Sequence, residues 1–207
     1  MGTGISNGAP AKGIADPFFL PALAVIILFY AIYFAKMLAQ RKRGIQTRQL
    51  GKGKTGEIRL VEVVLSIATF VIVPIQLLSL IFGWNFAPGF LRIIGIFLGF
   101  AGDFLFLAAV ITMRDSWRAG IPSEDKTELI SDGIYGYSRN PAFLGFDLMY
   151  IGILLAYFNA LMLPFTILTV VALHLQILQE EKYLSGAFGM EYMNYRERTA
   201  RYLGRKR

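Results

Sequence analysis

The sequence predicts an all-α fold, a polytopic membrane bundle of about five transmembrane helices with a C-terminal cytoplasmic helix. Three observations carry that expectation. The 207 residues are 55% hydrophobic and 17% charged, and the apolar residues fall in long runs, without the alternation of a soluble core. The runs are of a length to cross roughly 30 Å of hydrocarbon. Cations gather in alternate connections between the runs, as they do in cytoplasmic loops.

The first sixteen residues read as an extracytoplasmic segment, and Met1 to Gly13, rich in Gly, Ser and Ala, as disordered. The first span runs from Pro17 to Ala39. It is too long for a signal-peptide core, and its positive cluster, Arg41, Lys42 and Arg43, follows the apolar run instead of preceding it. A retained helix is expected. Further spans are expected at Ile58 to Phe82, Pro88 to Met113, Ala142 to Tyr157 and Leu161 to Gln179. The short link Phe158-Asn159-Ala160 makes the last two an antiparallel hairpin. Residues 17–113 thus form a three-helix frame. Residues 114–207 form an interfacial loop, two further spans and a terminal helix, with no internal repeat and no second globular domain.

Seven cations lie between Gln40 and Arg59, four between Arg114 and Arg139, and seven from Lys182 onward, whereas Gly83 to Ala87 and Phe158 to Ala160 carry none. The N-terminus is therefore expected outside and the C-terminus in the cytoplasm. The formal charge of +7 follows from this asymmetry and suits anionic lipid headgroups. Nucleic acid is not an expected partner, because the basic residues flank spans. With no cysteine, one histidine and no HExxH, no metal site is expected. Gly51-Lys52-Gly53-Lys54-Thr55 lacks the spacing of a phosphate-binding loop and reads as a flexible basic loop.

Polar residues inside the spans are costly and invite a functional reading. Gly95, Gly99 and Asp103 share a helical face, where small residues allow close approach and Asp103 either bonds a neighbouring helix or has a functional role. Glu62 reads as an interfacial residue. Phe143, Asp147 and Tyr150 form one stripe, with Asp147 either packing or walling a site. Ahead of that stripe, Arg139-Asn140-Pro141 has an N-cap residue followed by proline at the first helical position. Its free amides and the Arg139 charge favour an anion. Gln176 and Glu180 share a face at the end of the fifth span, and Glu181 follows. Two adjacent carboxylates repel unless a cation or hydrogen-bond donors serve them. The hairpin brings Asn140 and Glu180 to one membrane face, with the aromatic and basic helix Phe188 to Arg198 beyond. A ligand with a carboxylate, an ammonium, a sulfonium and a purine would use all of these groups, and S-adenosylmethionine is one.

The stretch Leu129 to Gly145, then Glu180-Glu181, then Phe188-Gly189-Met190-Glu191-Tyr192 and Tyr195, resembles the membrane superfamily of isoprenylcysteine carboxyl methyltransferases and phospholipid N-methyltransferases. The likeness covers roughly Trp117 to Arg201. It implies an S-adenosylmethionine pocket built by the last two spans and the terminal helix, with a lipophilic small molecule or lipid headgroup entering from the bilayer. The family's Arg-His-Pro-x-Tyr box falls on Arg139, Asn140, Pro141 and Phe143, so asparagine replaces histidine and phenylalanine replaces tyrosine. The cofactor-binding residues so implied are Tyr135, Arg139, Asn140, Pro141, Glu180, Glu181, Tyr192 and Tyr195, one of the two glutamates holding the ammonium, and Gln176 joins them as the residue on the face of Glu180. The resemblance implies Arg198 at the reacting end. Glu181, Asp147 or His174 are open as proton acceptors, His174 also reading as a core residue. The carboxylate, thiol or amine nature of the acceptor stays open. A nicotinamide-dependent reductase of the sterol-reductase type and a noncatalytic membrane protein are the alternatives.

Overall fold

A computed structural model describes residues 12–121 and 128–204. Residues 1–11, most of the segment expected to be disordered, and residues 122–127 of the interfacial loop lie outside the described residues. Five helices follow in order: α1 Phe19–Lys42, α2 Gly56–Phe82, α3 Gly89–Met113, α4 Pro141–Ala156 and α5 Met162–Arg198. Among the described residues there is no strand, only an isolated parallel bridge between Arg48 and Ala119. Among the described residues four helices are long and apolar enough to cross a membrane. The fourth expected span is α4, whose 16 residues give about 24 Å. Phe70, Phe97, Phe104 and Ile111 on outward faces are exposed, as lipid-facing residues are when no charge is tolerated there.

The tightest packing joins α3 to α4 through glycines. A Cβ on Gly95 would lie 2.5 Å from the Gly152 carbonyl oxygen, and one on Gly102 would lie 2.6 Å from that of Gly145. The two backbones therefore touch. Gly99 faces Val25 of α1 as well. Close approach on the Gly95–Gly99 face is as expected, but Asp103 is buried with neither carboxylate oxygen hydrogen-bonded among the described residues. The hairpin of α4 and α5 also forms, yet its arms part: α4 lies mainly along α3, and α5 along α2.

A polar clasp closes the end of the bundle where the chain enters α1. Arg92 pairs with Asp16, donates from Nε to the Ala156 carbonyl at 2.8 Å, and stacks on Phe18 and Tyr157 at 4.1 and 4.8 Å. Burial raises the Asp16 carboxyl, but Arg92 and the Phe18 amide outweigh it and hold the group below its ordinary value. Asn159 accepts from the Leu161 and Met162 amides and donates to Ser79 Oγ, capping α5 while tying it to α2.

At the opposite end α5 runs past Glu181 and breaks at Gly189, whose φ of 51° and ψ of −125° fall outside the helical region. Glycine tolerates that conformation because it lacks a Cβ. The last turns, to Arg198, are thus a separate terminal helix, as expected. Beyond Thr199 the chain folds back on the start of α4: the Arg139 amide donates to the Ala200 carbonyl at 3.0 Å, and the Gly204 amide to that of Tyr137 at 2.8 Å.

Candidate active site

Pro141 occupies the first turn of α4 with Asn140 before it, but the Asn140 side chain does not cap the helix. Its Nδ2 donates to Glu181 Oε1 at 3.1 Å and to the Arg201 carbonyl at 3.2 Å, while its amide donates to Ser138 Oγ. Arg139 donates from Nη2 to Glu181 Oε1 at 2.8 Å and from Nη1 to the Thr199 carbonyl. Arg201 reaches Glu181 Oε2 from Nη2 at 2.9 Å. Glu181 is therefore bound by two guanidiniums and an amide, a set of charge-assisted bonds that leaves it no need of an outside cation. The hydrogen bond to Glu181 raises the Arg201 guanidinium above its usual value. Sequence reasoning passed over Arg201, which reads as one more tail cation until the fold-back is known.

Glu180 is different. Its carboxylate accepts from Gln176 Nε2 at 3.1 Å and lines a small cavity of about 100 Å³ with Tyr135, Arg139, Asn140, Phe143, Tyr183 and Tyr195. The Tyr195 hydroxyl donates to the Tyr135 carbonyl at 2.7 Å, fixing the terminal helix to the short 3₁₀ turn Gly133–Gly136. Burial, with the nearby Tyr195 and Glu180, drives the Tyr135 hydroxyl well above its ordinary value, so it stays protonated. A carboxylate, a guanidinium and aromatic rings face one space, a donor set that suits an ammonium, a carboxylate and a purine. The cavity is smaller than the ~300–1,000 Å³ that enclose a drug-sized ligand whole, so a nucleoside would lie partly outside it.

A larger cavity, about 590 Å³, lies between α1, α2 and α4, with Tyr30, Phe34, Phe70, Pro74 and Phe146 among its walls. The two cavities share Trp117, Arg118, Gly120, Ala142 and Phe143. Gln176, one turn before Glu180, lines the larger one. Phe143 and Tyr150 of the expected stripe line it as well, whereas Asp147 lines neither cavity.

Glu62 and Lys54 depart from expectation. Glu62 is fully buried and accepts from Lys54 Nζ at 2.6 Å, the Gly51 amide at 2.6 Å, the Ile121 amide at 3.0 Å and Gln176 Nε2 at 3.3 Å. The basic loop is thereby anchored by Lys54, and Glu62 is an interior hub. A lone glutamate at the start of an apolar span, eight residues after a lysine, was the available signal.

The remaining candidates lie apart from this space. Arg198 is exposed and donates to the Asn194 carbonyl of its own helix, so the structure does not bring it to Glu181; the fold-back after Thr199 gives that contact to Arg201. Asp147 is buried, with Oδ1 unbonded among the described residues. Tyr192 is buried, its hydroxyl unbonded among the described residues, edge-on to Tyr195 at 6.1 Å. His174 Nδ1 pairs with the Tyr202 hydroxyl, facing the folded-back tail. Among the described residues no group of three or more acidic or histidine side chains could hold a metal.

Residues 93–186 match the model of the isoprenylcysteine carboxyl methyltransferase family. The match starts in α3 and ends just past Glu180 and Glu181, so it contains both cavities' shared wall and omits the terminal helix and Arg201. The chain is also similar to the protein-S-isoprenylcysteine O-methyltransferase of Saccharomyces cerevisiae, 29% identical over 122 residues, covering 58% of this chain and 51% of that protein. The chain spans about half the length of that curated relative. Both findings fall on the superfamily that the sequence resembles.

Proposed function

We propose, with the family match as premise, that the chain is an integral membrane S-adenosylmethionine-dependent methyltransferase acting on a lipophilic acceptor. The observation that carries this reading is the pair of cavities meeting at Trp117, Arg118, Gly120, Ala142 and Phe143, the smaller polar and aromatic, the larger apolar. Donor and acceptor that come into contact at the edge of this short partition need only be aligned, which is most of what methyl transfer asks of a protein.

In this reading Glu180 receives the ammonium of the donor's amino-acid end, Arg139 and the first amides of α4 serve its carboxylate, and Tyr135, Tyr183 and Tyr195 pack on its purine. A bound S-adenosylmethionine supplies an electrophilic methyl group on a sulfonium. Glu181 holds Arg139, Asn140 and the Arg201 tail in place, and Phe143 and Trp117 keep the partition dry. The acceptor's tail fits among Phe34, Phe70 and Phe146, open toward lipid. The loop charges support a cytoplasmic location for the polar cavity.

Calorimetry in detergent tests the donor half. S-adenosylmethionine is expected to bind, and Glu180→Gln to weaken it by about 1.5–3 kcal/mol, the worth of a charge-assisted hydrogen bond, without loss of folded protein. Binding of NADPH and not of S-adenosylmethionine would replace this reading with a reductase.

A further inference from the structure

Gln176 has an amide whose orientation is fixed by chemistry. Its Nε2 lies 3.3 Å from Glu62 Oε1 and 3.1 Å from Glu180 Oε1, and carboxylates only accept, so both N–H bonds point at carboxylates. The Oε1 is left as the remaining polar atom. Among the described residues it has no hydrogen-bond partner, and it belongs to a side chain that is 0% exposed and that lines the large apolar cavity. A buried amide oxygen left unpaired costs free energy that a ligand's N–H or O–H would recover.

Glu62 is the reason the amide stays put. Its carboxylate joins four separate parts of the chain: Lys54 and Gly51 of the α1–α2 loop, Ile121 of the segment after α3, its own helix α2, and Gln176 of α5. The loop and the segment after α3 meet at the Arg48–Ala119 bridge, where the Gln49 amide donates to the Ala119 carbonyl and the Ala119 amide to that of Thr47, both at 2.9 Å. Gly120 sits against this hub at φ +97°, where a Cβ would lie 3.1 Å from Glu62 Oε1 and 3.0 Å from the Leu50 amide nitrogen. Arg48, Leu50 and Trp117 to Gly120 are all wall residues of the large cavity. One carboxylate thus fixes both these wall residues and the Gln176 amide.

We propose that Gln176 Oε1 is the recognition point for the acceptor's polar head, which must carry an N–H, O–H or S–H, and that Glu62 is the positioning residue that holds it. This rests on the reading of the large cavity as the acceptor site. It moves Gln176 from the cofactor half of the site to the acceptor half.

The test uses Trp117, which lines both cavities. Of the two tryptophans the other, Trp84, stacks on Phe82 in the loop after α2, so a Trp84→Phe background leaves Trp117 as the fluorescent reporter. In detergent this protein is titrated with 1-decanol and with decyl methyl ether, which differ in the donor hydrogen. Decanol is expected to bind more tightly. Gln176→Leu is expected to weaken decanol by about tenfold, the range of one hydrogen bond, with the ether unchanged. Glu62→Asp keeps the charge but withdraws it from Gln176, and is expected to give a smaller loss of the same selectivity, so the test stands even where Gln176→Leu fails to fold. Equal loss for both amphiphiles, or no loss for either, would overturn the assignment. Failure of both amphiphiles to change Trp117 emission would overturn it as well, while the calorimetry still reports separately on the donor half.

Discussion

A guanidinium buried beside α4 requires a counter-charge, and Glu181 supplies it to Arg139 from within the bundle and to Arg201 from the tail. Glu180, its neighbour in sequence, instead faces the small cavity with Gln176 as its donor among the described residues. Their substitutions are therefore expected to differ. Glu181→Gln strands a buried cation, and breaking such a pair costs about 3–5 kcal/mol, so the detergent-solubilised variant should melt well below the parent. Glu180→Gln should melt normally and fail in S-adenosylmethionine binding. Equal melting temperatures for the two would contradict the division. Arg198→Ala, at an exposed position bonded to its own helix, is expected to keep cofactor affinity and stability unchanged within error, which the same calorimetry and melting curves check. The acidic pair and the Arg-Asn-Pro turn were legible in the sequence because adjacent charges and a helix start are local features. Which glutamate was free, and that Arg201 and not Arg198 reaches the pair, depended on a chain reversal after Thr199 that no periodicity announces.

The helices show the same limit. Spans were readable from apolar length, and the Gly95–Gly99 face from helical spacing, but not that α4 would lie along α3 instead of its hairpin partner. That choice rests on backbone contact. Gly152→Ala places a Cβ 2.6 Å from the Gly95 carbonyl oxygen, so the helices must part, a cost of about 1–3 kcal/mol. Gly186→Ala, in α5 with nothing within 4 Å of the added carbon, is expected to stabilise by about 0.5–1 kcal/mol through helix propensity. Thermal melts of the two variants should shift in opposite directions. The clasp at the start of α1 gives a pH dependence. The folded Asp16 carboxyl lies below its ordinary value of 3.8, so its contribution is present above that pH and is lost as pH falls through the folded value. Asp16→Asn should therefore lower the melting temperature at pH 6, with the difference closing below about pH 3.8; a gap that widened toward acid would reverse the sign and refute the pairing.

Across the whole molecule, the polar groups divide by end. One end holds the Asp16–Arg92 clasp and Asn159, the other holds Glu62, Arg139, Glu180 and Glu181 with both cavities' shared wall. In the proposed orientation that second end faces the cytoplasm, so a reporter fused after Arg207 should be active only there and one inserted at Phe158 to Ala160 only outside. The two-cavity plan was not legible in the sequence, since the large cavity combines residues of α1, α2, α4 and α5 with the segment after α3, and most of its wall is ordinary apolar side chains. The meeting of the cavities is what the functional reading depends on most. Ultraviolet crosslinking of S-adenosylmethionine to the solubilised protein, with peptide mass spectrometry, locates the donor directly. Label is expected on peptides containing Tyr135, Phe143, Tyr183 or Tyr195, and should be removed by excess S-adenosylhomocysteine. Label confined to α1 or to the Asp16–Arg92 end, or no label that the competitor removes, would contradict the account.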